Sequence, residues 1–153
     1  MYLLALTLLV VGCEKDEWLD WKVQNQLFLE QNRKEAGVIE TASGLQYRVI
    51  RDPNPTEAVP HSGSTIIAQY TLRLPCSNDV LIESALASIT ISETVDGFQE
   101  GIKHIHNLGE IEMWLPYDLG YGEDGTGTEG DVSYIPPYST LYFRVEVQYV
   151  NAD

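Results

Sequence analysis

Leu141-Tyr142-Phe143-Arg144-Val145-Glu146-Val147-Gln148-Tyr149-Val150 is the stretch whose period decides the fold class. Successive side chains of a β-strand point to opposite faces, so Leu141, Phe143, Val145 and Val147 share one face and Tyr142, Arg144, Glu146 and Gln148 the other. Upstream of it a loop of Gly, Thr, Asp and Glu covers residues 120–132, and Ile111-Glu112-Met113-Trp114-Leu115 reads as a strand ended by Pro116. Residues 95–105 place Val95, Phe98, Ile102 and Ile105 at spacings of three and four, which predicts a short helix ended by Leu108-Gly109. Residues 80–85 and 88–92 read as two short strands, and Thr65–Leu74 as a longer one stopped by Pro75. Leu45-Gln46-Tyr47-Arg48-Val49-Ile50 alternates as a half-buried strand does, and Asp52-Pro53-Asn54-Pro55 breaks it. The sum is an α+β domain: an antiparallel sheet with one short helix to cover it.

Working toward the N-terminus, residues 18–36 spread Trp18, Leu19, Trp21, Val23, Leu27, Phe28 and Leu29 through a background of Gln, Glu, Lys and Arg without Pro or Gly. The pattern predicts an amphipathic helix ended at Gly37. Trp18 and Trp21 need cover, so this helix either packs on its own domain or forms a homodimer interface with a second copy. Residues 1–12 carry no charge and are too short to span a bilayer, which takes about 20 apolar residues. They fit the apolar region of a secretory signal peptide. Val10-Val11-Gly12-Cys13 resembles a bacterial lipobox, in which the cysteine thiol accepts the lipid and the residue becomes the mature N-terminus. The expected organisation is therefore a lipoprotein signal peptide at 1–12, a charged tether at 13–17, a helix and linker at 18–43 and the main domain at 44–153. A lipid on Cys13 implies a lipoprotein of the cell envelope of a Gram-negative bacterium, and the acidic residues after it fit the outer membrane.

Composition excludes several functions. The chain has 153 residues, room for one domain with a real core, and 23 acidic against 9 basic residues give a net charge of −14. That charge repels phosphate backbones, so no nucleic acid is expected as a partner. Of the two cysteines, Cys13 is assigned to the anchor, and Cys76, beside Pro75 and with no base in sight, reads as an inert thiol. His104 and His106 are two residues apart and project to different faces of a helix, which does not make a zinc site. The acidic loop around Glu123, Asp124, Glu129 and Asp131 lacks the ligand spacing of a calcium motif. The glycines of that loop follow a strand but precede no helix, so they do not cradle a phosphate. No metal or cofactor is expected.

Several strings, in order, resemble the FKBP family of peptidyl-prolyl cis-trans isomerases. They are Gly44-Leu45-Gln46-Tyr47, Gln69-Tyr70-Thr71, Gly97-Phe98-Gln99-Glu100-Gly101, Leu115-Pro116-Tyr117-Asp118-Leu119-Gly120-Tyr121-Gly122 and Ile135-Pro136-Pro137-Tyr138-Ser139-Thr140-Leu141-Tyr142-Phe143. The resemblance covers residues 44–150 and implies a strongly bent antiparallel sheet wrapped around a short α-helix, with a pocket between them. Carried over residue by residue, it implies catalytic roles for Tyr70, Glu83, Phe98, Tyr121 and Phe143, and substrate contacts from Ile82, Ile89, Val95 and Ile135. Ile82-Glu83 stands where the family has Phe-Asp, Phe98 where it has Trp, and Val95 where it has Ile. Glu83 is expected to bond a tyrosine hydroxyl across the pocket, forming a polar wall with Tyr70. The implied partners are proline-containing polypeptides, and the implied activity is isomerisation of X-Pro bonds. A catalytically weak FKBP-like binding or chaperone module is the alternative that the substitutions at 82, 83 and 98 keep open.

Overall fold

The computed structural model of the chain describes residues 17–151. In chain order the elements are α1 (Leu19–Asn32), β1 (Ile39–Glu40), β2 (Gln46–Arg51), β3 (Thr65–Leu74), β4 (Asp79–Thr90), α2 (Asp96–Gly101), β5 (Glu110–Leu115) and β6 (Leu141–Asn151). The strands form one antiparallel sheet in the order β1-β2-β5-β6-β3-β4. β6 is central, with Met113 of β5 and Leu72 of β3 both opposite Phe143. Its alternation is realised: Leu141, Phe143, Val145 and Val147 are buried and Arg144 is exposed.

α2 lies against the buried face. Its helical residues begin after Val95, whose extended backbone (φ −67°, ψ 153°) leaves its carbonyl free to accept the N–H groups of Phe98 and Gln99 at 3.0 and 3.1 Å. A 3₁₀ turn, Ile102–His104, tightens the end, so the helix expected over 95–105 is an α-helical piece followed by one tighter turn, while Phe98, Ile102 and Ile105 all stay buried. Gly97 and Gly101, one turn apart, face β5. A Cβ on Gly97 would stand 2.5 Å from Leu115 Cγ, and one on Gly101 would overlap Met113 Sδ.

Two expectations are corrected. Residues 80–85 and 88–92 belong to the single strand β4, because main-chain pairing with β3 continues through Gln69↔Leu86 and Ala68↔Ala87 whatever the side chains there. The irregularity falls instead at Ser84, a non-glycine residue with φ 49°, where the register shifts between Tyr70 and Leu72. The helix expected over residues 18–36 ends at Asn32, and a two-residue strand, β1, pairs with the edge of β2 where a linker was expected. α1 packs on its own domain, one of the two arrangements expected of it. Its contact face is Trp21, Asn25 and Asn32, tied by hydrogen bonds to Ser139, Thr140 and Gln46, while Leu19, Val23 and Leu27 remain about half exposed.

The close approach of α2 to β5 makes a stability prediction. Alanine is intrinsically better than glycine in a helix by about 1 kcal/mol. At position 97, however, the new methyl meets the fully buried Leu115 and, at 3.0 Å, the Leu119 carbonyl oxygen. Overpacking outweighs propensity, and Gly97→Ala is expected to lower stability by about 1–3 kcal/mol in a urea titration. A midpoint equal to or above wild type contradicts this packing.

Candidate active site

A cavity of about 330 Å³ opens between α2 and the bent sheet. Its floor is Phe98 of α2 and Phe143 of β6, whose rings meet edge to face with centroids 5.4 Å apart and planes at 76°. Both rings are almost wholly buried, so their positions are set by core packing rather than by any ligand. β3 contributes Tyr70 and Leu72, two residues apart and therefore on one face, and β4 contributes Ile82 and Ile89. Glu93, Thr94 and Val95 form one rim and Tyr121 the other.

The rim segment before α2 is tied down by its own side chains. Thr94 Oγ1 donates to the Ile91 carbonyl at 2.7 Å, and Gln99 Nε2 reaches back to the Thr94 carbonyl at 2.8 Å. These bonds present the backbone of Val95 to the cavity, and its N–H is donated to no other described residue. Tyr121 rides a tight turn in which the Gly120 and Gly122 N–H groups both donate to the Tyr117 carbonyl, at 3.0 and 2.8 Å. The residue is 40 % exposed and lines the cavity at its edge.

Of the residues singled out by sequence, Tyr70, Ile82, Ile89, Val95, Phe98, Tyr121 and Phe143 come together around this cavity. Glu83 does not. Its carboxylate pairs with Arg73 at 3.2 Å and lines a separate cleft on the opposite face of the sheet, with Thr71 and Ser84. It makes no hydrogen bond to Tyr70. The cause is the bulge: the Ser84 N–H donates to Thr71 Oγ1 at 3.2 Å and Gln69 Nε2 donates to Ser84 Oγ at 2.7 Å, which draws this part of β4 outward. Ile135 sits in the core, 3 % exposed, and its main chain pairs with Thr126 by bonds of 2.9 Å in each direction. It shapes the loop above the cavity rather than the cavity wall.

Sequence reasoning missed Leu72, Glu93 and Thr94. Leu72 carried a signal, because it alternates with Tyr70 on a strand; Glu93 and Thr94 lie in and after a 3₁₀ turn, Ile91–Glu93, with no periodic pattern to mark them. Elsewhere, burial pushes the Cys76 thiol up to about 11, which leaves it protonated and unreactive near neutrality. His104 stacks on Tyr47 at 4.0 Å and burial lowers its pKa, while His106 is turned toward Asp52 at 2.8 Å. No three His, Cys, Asp or Glu side chains among the described residues are grouped to hold a metal ion. The cavity thus offers apolar walls, the phenols of Tyr70 and Tyr121 and one main-chain donor at Val95, which suits gripping an apolar ring and orienting an amide.

Comparison with known proteins agrees with this geometry. Residues 56–148 match the family described as FKBP-type peptidyl-prolyl cis-trans isomerase, and residues 14–49 match the domain amino terminal to it. The chain belongs to the FKBP-type peptidyl-prolyl cis-trans isomerase family. Among FKBP relatives, the FKBP-type 22 kDa peptidyl-prolyl cis-trans isomerase of Escherichia coli K12 is 32% identical over 125 residues, 78% of this chain and 56% of that protein. The outer membrane protein MIP of Legionella longbeachae is 27% identical over 131 residues, 82% of this chain and 52% of that protein. The crystal structure of FkpA from Escherichia coli superposes with a TM-score of 0.76 at 27% identity, covering 86% of this chain and 60% of that one. This FKBP chain spans about half the length of the curated relatives it matches.

Proposed function

We propose that this chain is a peptidyl-prolyl cis-trans isomerase acting on X-Pro bonds of exported polypeptides. The observation that carries the reading is the apolar cavity floored by Phe98 and Phe143, with a hydroxyl and a main-chain N–H at its edge. Rotation about the X-Pro bond breaks amide resonance against a barrier of about 18–20 kcal/mol, and no covalent bond is made or lost. A catalyst has only to bind the twisted amide better than the planar forms. Twisting removes the zwitterionic character of the amide, so walls of Leu72, Ile82, Ile89 and Val95 favour the twisted state over the more polar planar one. Phe98 and Phe143 grip the proline ring. The Tyr121 hydroxyl and the Val95 N–H donate to carbonyls flanking the bond and hold the peptide in register. One observation favours the second reading, a catalytically weak binding or chaperone module: Glu83 is committed to Arg73, so the expected carboxylate wall beside Tyr70 is missing.

The envelope setting is part of the same proposal. Cys13 and the signal-like run before it lie outside the described residues; the lipobox-like Val10-Val11-Gly12-Cys13 supports a lipid anchor, and the name of the Legionella relative supports an outer-membrane location. The exposed stripe of Leu19, Val23 and Leu27 on α1, at i, i+4 and i+8, supports pairing with a second copy through this helix.

In an NMR exchange or protease-coupled assay on an X-Pro peptide, the full chain is expected to accelerate isomerisation above the uncatalysed rate. Phe143→Ala should lower kcat/KM at least about tenfold, and Tyr121→Phe by a smaller factor of about three to ten. No acceleration by wild type sinks the enzyme reading in favour of the binding module, and full activity in both variants sinks the pocket assignment. Cys13→Ser is expected to move the protein from the membrane fraction to the soluble one; unchanged partitioning refutes the anchor. Val23→Glu is expected to convert a dimer to a monomer in sedimentation velocity, and a monomeric wild type disproves pairing.

A further inference from the structure

Besides its contact with Gln46, α1 meets the rest of the fold at the two feet of the loop that carries Tyr121. Trp21 Nε1 donates to Ser139 Oγ at 3.1 Å, and that hydroxyl donates in turn to the Pro136 carbonyl at 2.7 Å. The Thr140 N–H donates to Asn25 Oδ1 at 2.7 Å, while Asn25 Nδ2 donates to the Trp21 carbonyl at 2.9 Å, so the acceptor is aimed by the helix itself. Lys22 Nζ stands 4.4 Å from the centre of the Tyr138 ring and 5.4 Å from that of Tyr117. Those two rings meet edge to face at 5.2 Å. Tyr117 opens the turn before Tyr121, and Tyr138 closes the loop after it.

Between these feet the chain is held by its own main-chain bonds and by the burial of Ile135, with α1 the element that grips its ends. Gly122, Gly125, Gly127 and Gly130 all have positive φ, a region that glycine adopts without strain. The loop is pinned by the Gly122 N–H on the Tyr117 carbonyl, the Tyr138 N–H on the Gly122 carbonyl at 3.0 Å, the Thr126–Ile135 pair, and the turns in which the Asp131 N–H donates to the Thr128 carbonyl and the Tyr134 N–H to the Asp131 carbonyl. Tyr138 itself is left-handed, with φ 59°. A tyrosine keeps that conformation only where its surroundings over-determine it, and here they are Lys22, Tyr117 and the Gly122 carbonyl.

We propose that Trp21, Lys22 and Asn25 are positioning residues for the pocket: they hold the feet of the 117–140 segment and so fix where Tyr121 stands beside Phe98 and Phe143. The proposal rests on the isomerase reading. None of the three lines the cavity, so their effect passes through the loop. Loosening the feet lowers the fraction of molecules in which Tyr121 is in place, and apparent affinity falls in proportion while the correctly formed complex turns over as before. The signature is a raised KM at unchanged kcat.

The test uses the full chain with Lys22→Met and Asn25→Leu, with Lys22→Arg, which keeps the cation, and with Asn25→Asp, which keeps the acceptor for the Thr140 N–H but gives up the donor to the Trp21 carbonyl. Asn25→Leu is expected to raise KM for an X-Pro peptide about tenfold, the loss set by one buried hydrogen-bond partner, and Lys22→Met about two- to fivefold, the loss set by a cation–π contact; Lys22→Arg should return it to wild type and Asn25→Asp part of the way. Amide hydrogen exchange should quicken at Gly122, Thr126, Ile135 and Tyr138 in Lys22→Met and Asn25→Leu, with β3 and β5 unchanged. Faster loop exchange with an unaltered KM overturns the proposal, as does unaltered loop exchange or an equal quickening throughout β3 and β5. If the wild-type chain proves inactive, the isomerase reading falls on its own. Peptide affinity from an NMR titration then replaces KM, and the same comparisons decide the role of α1.

Discussion

The approach of α2 to β5, allowed by the missing Cβ atoms of Gly97 and Gly101, is the contact on which the remaining geometry depends. With a methyl at either position the helix would have to lift away from Leu115 and Met113, and Phe98, on the same short helix, would lift with it. Phe98 would then lose its edge-to-face contact with Phe143, which belongs to the central strand β6. The cavity exists because a helix at this distance closes the concave side of a bent sheet without filling it. Its floor is rigid for the same reason that the core is: both rings are packed from behind.

The opposite face of the sheet is built on charge and hydrogen bonds. Glu112, buried on β5, accepts from Arg48 Nε at 2.8 Å on one oxygen and from the Tyr142 hydroxyl at 2.8 Å on the other, joining β2, β5 and β6. Burial and the bond to Glu112 push the Tyr142 phenol well above the usual tyrosine range, so it stays a donor at any physiological pH. α1 docks in the same idiom. Asn32 Nδ2 donates to Gln46 Oε1 at 2.9 Å, and Gln46 Nε2 donates to the Leu29 carbonyl and to Glu40. Such contacts are directional, so they define the rotation of the helix about its axis where an apolar face would tolerate several. The apolar stripe is left outward as a consequence.

The cavity asks little of acid–base chemistry, in keeping with a reaction that makes and breaks no covalent bond. Its polar groups are donors at the edge, and the nearest carboxylate on its rim is Glu93. Withdrawal of Glu83 to the far side of β4 makes this pocket more apolar than the resemblance implied. Under the proposed isomerase reading, that change bears on how the pocket receives a peptide more than on whether it can hold a proline ring.

Sequence alone determined the elements whose evidence is local. The period-two run of β6, the stop at Pro75, the three-and-four spacing around Phe98 and the strings that place Tyr70, Tyr121 and Phe143 all depend on neighbours along the chain. Family membership was legible for the same reason. Tertiary structure decided what depends on partners far away in sequence. Glu83 was lost from the pocket because Thr71 and Gln69 hold Ser84 in a bulge, an event of strand pairing rather than of local propensity. The inward face of α1 was chosen by Ser139, Thr140 and Gln46, and no hydrophobic period can anticipate a helix docked through asparagines. Glu93 and Thr94 reached the rim because a 3₁₀ turn carries them there, and such a turn leaves no repeat in the sequence to read.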